Sequence, residues 1–160
     1  AWTMQSWRDG RLDVDASPPS DALCAAMLHR AGKGWRLYVE CKFPPGSAPA
    51  GELVRLWIGP FAAPTSVLAV TSDGRVNPEL GGSDATWTDV GLSDDRWTFD
   101  LDLPAGAVSD DGVLRLAIEH IDAFAERTSA PRRMLPWQRE PGRLAIDTRA
   151  WEDLGRASER

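Results

Sequence analysis

The sequence predicts an all-β chain: an antiparallel β-sandwich of immunoglobulin-like or jelly-roll-like two-sheet architecture, with little helix. Three observations predict it. Several segments alternate apolar and polar residues with period two. Glycine, proline and Asp-Gly signals punctuate them at short intervals. No stretch of ten or more residues keeps a helical period. At 160 residues the chain is long enough to bury one substantial core. Residues 1–160 are therefore expected to form a single domain, undivided by any internal repeat, low-complexity tract or interdomain linker.

The elements follow in order. Residues 22–29 read as a strand, and Ala31-Gly32-Lys33-Gly34 as a tight turn into a second strand at 35–43. There Trp35, Leu37, Val39, Cys41 and Phe43 fall on one face and Arg36, Tyr38, Glu40 and Lys42 on the other, the pattern of a strand with one buried side. A Pro/Gly/Ala-rich connection at 44–51 leads to strands at 52–58 and 66–71. Ser72-Asp73-Gly74 then turns the chain into a short strand at Arg75 and Val76, Asp-Gly being a strong hairpin signal. In 97–103, Trp97, Phe99, Leu101 and Leu103 alternate with Thr98, Asp100 and Asp102. Pro104, which has no N–H for a ladder, ends the strand. After Ser109-Asp110-Asp111-Gly112, residues 113–121 place Leu114, Leu116, Ile118 and His120 on one face. Residues 122–127 are expected to make one or two helical turns, 144–146 a last strand, and 150–157 a short terminal helix.

Composition excludes several functions. A net charge of -6 argues against a nucleic-acid or anionic-membrane surface, because phosphate binding needs clustered Lys and Arg. The cluster of Arg127, Arg132, Arg133 and Arg139 reads as a solvated loop. No apolar run reaches the ~18 to 20 residues of a membrane span. The chain starts at Ala1 with no signal-like stretch, so any targeting segment is expected to have been removed or never present. Cys24 and Cys41 are too few for a disulfide framework and lack metal-site spacing. They fall in adjacent predicted strands, which fits a cross-strand bridge or a pair of buried thiols.

The eight tryptophans, against one tyrosine and four phenylalanines, carry the functional signal. Trp35, Trp57 and Trp97 lie in alternating segments and read as core. Trp87 and Trp137 lie in loop-like or strand-end sequence, where binding residues are displayed. There a flat indole offers a surface that stacks on a ring. Catalysis has no comparable support: the sequence contains no Gly-x-Ser-x-Gly, His-Glu-x-x-His or glycine-rich phosphate loop. Asp94, Asp95, Asp110 and Asp111 read as turn residues, and Asp100 and Asp102 as the wet face of a strand.

In order and spacing, these pieces resemble the family 9 carbohydrate-binding modules and the wider DOMON-like β-sandwiches over residues 23–147. The markers are Leu37-Tyr38-Val39, the strand from Glu52 through Trp57 to Pro60, the hairpin from Val67 through Asp73-Gly74 to Val76, the strands at 97–104 and 114–118, and Trp137 ahead of Leu144-Ala145-Ile146. The resemblance implies a non-catalytic carbohydrate-binding module that stacks a sugar ring on exposed tryptophan. Trp137 corresponds to the later of the family's two sandwiching tryptophans; ahead of Glu52 only Phe43 is offered at the earlier site. Of the family's acidic strand motif Glu52 remains, with Arg55 and Gly59 standing where acids stood. The expected ligand residues are Trp137, Trp87, Glu52, Arg133, Gln138 and Arg139. No cofactor is expected; the resemblance offers calcium as a structural ion, or haem b on His120 with Met27, His29 or Met134, as alternatives. A structural or interaction sandwich that has lost its ligand is a further reading. The implied partners are a carbohydrate and an attached or associated enzyme, at an extracytoplasmic or secreted location.

Overall fold

A computed structural model describes residues 2–4, 7–8, 11–12, 24–44, 46–82, 84, 87–125, 127–130 and 138–150. The strands are β1 (Trp2–Met4), β2 (Trp7–Arg8), β3 (Arg11–Leu12), β4 (Cys24–Ala31), β5 (Gly34–Lys42), β6 (Leu53–Gly59), β7 (Ser66–Thr71), β8 (Val76–Leu80), β9 (Trp87–Leu92), β10 (Arg96–Asp102), β11 (Val113–Ile121), β12 (Arg127–Ala130) and β13 (Leu144–Asp147). Two sheets form the sandwich. One runs β1-β4-β5-β10-β9; the other runs β12-β11-β6-β7-β8, with β13 sharing the β11 edge with β12. Pairing is antiparallel except between β1 and β4. The expected all-β sandwich is the observed one.

Alternation places the core where period two puts it. On β5 the inward residues are Trp35, Leu37, Val39 and Cys41; on β10, Trp97, Phe99 and Leu101; on β6, Val54, Leu56 and Ile58; on β11, Leu114, Leu116 and Ile118. Their apolar faces meet between the sheets, and removing that surface from water is the main favourable term of folding. Trp97 and Phe99 stack with centroids 5.7 Å apart.

The core also contains a polar tie. Glu52, at the entry to β6, is 5% exposed, and its Oε2 accepts from the indole N–H of Trp97 at 2.9 Å. His120 Nε2 lies 3.1 Å from the same oxygen. Trp97 belongs to one sheet and His120 to the other, so one side chain links the two layers.

Several expectations need correction. Trp57, expected in the core, faces outward: it shares its phase with Arg55, while Val54, Leu56 and Ile58 point inward. Residues 122–127 make no helix turns among the described positions; a turn closes with Ala125 N donating to Asp122 O, and the chain enters β12. The strand after Asp73-Gly74 is longer than expected, Val76–Leu80, and carries Pro78 on a sheet edge where a missing donor costs no ladder bond. Trp87, read as loop-like or strand-end, is the first residue of β9. Helix is assigned at residues 148–150, and the rest of the expected terminal helix, 151–157, lies outside the described residues. The short N-terminal strands had no counterpart in the sequence reading.

Two predictions follow from this packing. Leu56→Ala, at a fully buried site, is expected to cost about 2–5 kcal/mol in urea unfolding, against about 0.5 kcal/mol or less for Leu92→Ala, which is 69% exposed. Tyr38, the one tyrosine, has its pKa raised above the ordinary value by burial first, then by the charge of Glu40 and the hydrogen bond to it at 3.4 Å. The native state therefore disfavours the phenolate. Stability from this group is intact below pH ~10 and falls as pH rises from ~10 through the folded value. Phenolate absorbance should appear at higher pH in native than in urea-unfolded protein; coincident titrations would contradict the placement.

Candidate functional site

The structure separates the residues that the sequence singled out. Glu52 lies inside the sandwich, bonded to Trp97 and His120, with its carboxylate turned away from solvent. Gln138 and Arg139 are exposed on the approach to β13. Trp137 and Arg133 lie outside the described residues, and of Trp87 the backbone position at the start of β9 is described. His120, on which the haem alternative turns, sits in the core with Nε2 directed at Glu52. No group of three or more His, Cys, Asp or Glu is placed to hold a metal ion among the described residues.

What the fold brings together instead is the outer face of the six-stranded sheet. The register aligns Glu119 on β11, Arg55 on β6, Ala69 on β7 and Asn77 on β8 in one row. Arg55 donates from Nε and Nη2 to both oxygens of Glu79, at 2.7 and 3.0 Å, and from Nη1 to Glu119 Oε2 at 2.7 Å. Small Ala69 lies between, so the guanidinium reaches across β7 to the edge strand. Arg127 Nε closes on the other oxygen of Glu119 at 3.1 Å. The result is an ion chain Arg127–Glu119–Arg55–Glu79 spanning the sheet. Glu119 is 1% exposed although it faces outward. The hydrogen bonds to Glu79 and then Glu119 raise the Arg55 pKa against the opposing effect of burial.

Trp57 occupies the next row, flanked by Ala117 and Val67. Its ring is partly exposed, while Nε1 is buried and has no hydrogen-bond partner among the described residues. Buried donors are nearly always matched, so this atom marks an incomplete environment. The loop after β6 is fixed beside it. Arg115 Nε donates to Pro60 O at 3.3 Å, and Arg143 donates to the carbonyls of Gly59, Phe61 and Ala62 at 3.2, 2.6 and 2.5 Å. Burial first, and the nearby charge of Arg115 next, lower the Arg143 pKa. Gly59 has φ 151°, and a Cβ there would sit 2.6 Å from Thr65 Oγ1, so the loop closes tightly only with glycine.

The opposite outer face is different. Arg36–Asp102 at 2.6 Å and Arg96–Glu40 at 3.1 Å form half-exposed pairs. Trp97 and Trp35, on its strands, turn inward. The parity of Trp57 with Arg55, and of Glu119 with Arg115, was the signal in the sequence that locates the candidate face.

No family model matches this chain, and no curated protein matches it. Two solved structures are similar. One is a family 9 carbohydrate-binding module from Caldicellulosiruptor kristjanssonii in complex with glucose, at 12% identity, covering 81% of this chain and 83% of that chain with TM-score 0.49. The other, in complex with cellotriose, is 11% identical over 80% of each chain with TM-score 0.44.

Removing the buried middle acid of the ion chain should be costly. Glu119→Ala leaves Arg55, whose side chain is 18% exposed, without its inner partner but still paired with Glu79, and is expected to destabilise by about 1–3 kcal/mol in chemical denaturation. A loss under about 1 kcal/mol would show that the pair carries little.

Proposed function

We propose that this chain is a non-catalytic carbohydrate-binding domain whose site lies on the outer face of the six-stranded sheet. One observation carries the reading: Trp57 presents a partly open ring with an unmatched N–H beside an ion chain already held in place. A pyranose needs a flat apolar surface for its C–H face and fixed polar groups for its hydroxyls. Here the ring supplies the first, while Arg55, Glu79 and Asn77 line up to supply the second. The indole N–H lies beneath the surface, so the open part of the ring is what a sugar would meet. Trp137 and Trp87 are proposed as further platforms, with Arg133, Gln138 and Arg139 as their polar neighbours. The solved modules of similar fold hold glucose and cellotriose, which makes gluco-configured sugars the first to try.

A non-catalytic role is supported by the one buried acid–histidine pair in the described core. Glu52 and His120 are 5% and 2% exposed and joined to Trp97, so no substrate reaches them. No helix among the described residues is long and apolar enough to cross a membrane. An extracytoplasmic setting, with delivery of an attached enzyme to a glycan, is the proposed context. The register supports it by setting Cys24 opposite Cys41 on neighbouring strands, a separation that a disulfide spans.

Titration of cello-oligosaccharides against the wild-type chain, Trp57→Ala and Trp137→Ala tests the site. Binding is expected to weaken at least ten-fold in Trp57→Ala while far-UV circular dichroism stays that of a sheet protein. Unchanged binding in a folded Trp57→Ala would remove this face from the function. Thiol titration of unreduced, natively expressed protein should find Cys24 and Cys41 joined; two reactive thiols would count against export.

A further inference from the structure

A concave surface not lined by Trp57 lies at one end of the sandwich. It is a cleft of about 380 Å³ formed where the β4–β5 turn, the β10–β11 connection and the segment after β13 converge. Apolar side chains underlie it: Trp35, Pro104 and Ala107 are buried there, with Leu103 and Val108 beside them, while polar groups make up much of its open surface. Its rim carries Arg30, Lys33 and Arg149, and no carboxylate stands among the described residues that line it. In a chain of net charge -6, this mouth gathers three cations, and its neighbouring acids include Asp84, bonded to the backbone N–H of Ala105 at 2.9 Å, and Asp111, near Arg149.

Two of these cations are held in position. The Arg30 guanidinium lies over the Trp35 ring, 5.3 Å from its centroid, which fixes its plane at modest cost in side-chain freedom. Arg149 runs against Gly112, where a Cβ would meet Arg149 Cγ at 2.7 Å, and donates to the carbonyl of Asp110. Glycine at 112 (φ 86°) therefore makes room for the arginine that forms one wall. The nearby acid Asp111 takes the hydroxyl of Ser109. Lys33, at the tip of the exposed turn, completes the rim from the opposite side.

We propose that this cleft binds a small ring-bearing carboxylate, with the carboxylate between Arg30, Lys33 and Arg149 and the ring lowered toward the apolar side chains beneath. Guanidinium groups match a carboxylate with paired hydrogen bonds, and the volume suits one ring. Two sources share this chemistry: a sugar acid and an aromatic acid. The site is separate from the proposed sugar face, and each can fail alone.

The test is a two-dimensional amide and indole NMR titration of the full chain with glucuronate, benzoate and glucose at low and at moderate ionic strength. Glucuronate or benzoate is expected to shift the amides of Gly34, Gly106 and Gly112 in a saturable way that weakens with salt, and glucose to leave them unmoved. Response to glucuronate alone identifies a sugar acid, response to benzoate alone an aromatic acid, and each supports the proposal. Lys33→Gln, on an exposed turn, and Arg149→Gln are each expected to raise Kd at least five-fold. If Arg149→Gln fails to fold, Lys33→Gln decides. Equal shifts with glucose, no saturable shift with either acid, or an unchanged Kd in Lys33→Gln would overturn it. Shifts confined to the Trp57 indole would overturn this site while supporting the other.

Discussion

The sandwich depends on one buried carboxylate. Glu52 accepts from Trp97 on one sheet and is hydrogen-bonded to His120 on the other, and a polar group inside a core is tolerable when it is hydrogen-bonded. Apolar contact between two sheets is non-directional and would tolerate sliding. A hydrogen-bonded acid at the centre is directional, because its donors must arrive from fixed strands at a fixed register. Trp97 lies opposite Cys41 on β5 and His120 opposite Val54 on β6, so the tie sets both ladders at once. The position also explains why an acid sits at the head of an otherwise apolar strand.

With the interior closed in this way, any ligand chemistry falls to the outer faces and the loops. The six-stranded sheet prepares its outer face by burying Glu119 beneath the arginines that pair with it. Arginine is suited to this because its planar fork meets two acids at once, Glu79 through two nitrogens and Glu119 through a third. Groups held so firmly lose little freedom when a ligand arrives. The same arrangement leaves the Trp57 N–H unmatched among the described residues, a local cost in stability.

Much of the fold was legible because period two is a strong signal wherever one strand face is dry. β5, β10 and β11 follow the sequence reading almost residue for residue. β12 was hidden because four residues, Arg-Thr-Ser-Ala, carry no alternation, and their strand state comes from pairing with Ile118–Ile121. The candidate site was less legible for a related reason. Reading Trp57 as core gave weight to residue type, whereas its phase with Arg55 placed it outside. Glu52 was read as a surface partner because nothing local reveals that Trp97 and His120, 45 and 68 residues away, converge on it. Such pairings are long-range and appear only once both sheets are assembled.

The central claim is that the inner tryptophans hold the sandwich while the outer one meets the ligand. Hydrogen exchange at the indole N–H groups, assigned by tryptophan substitution and followed with and without saturating cello-oligosaccharide, tests it most directly. The account predicts that Trp97 exchanges slowly in both states, being bonded to Glu52, and that Trp57 gains protection and shifts when sugar is present. A Trp57 indole unaffected by saturating sugar, or a Trp97 indole that exchanges as fast as an exposed one, would contradict it.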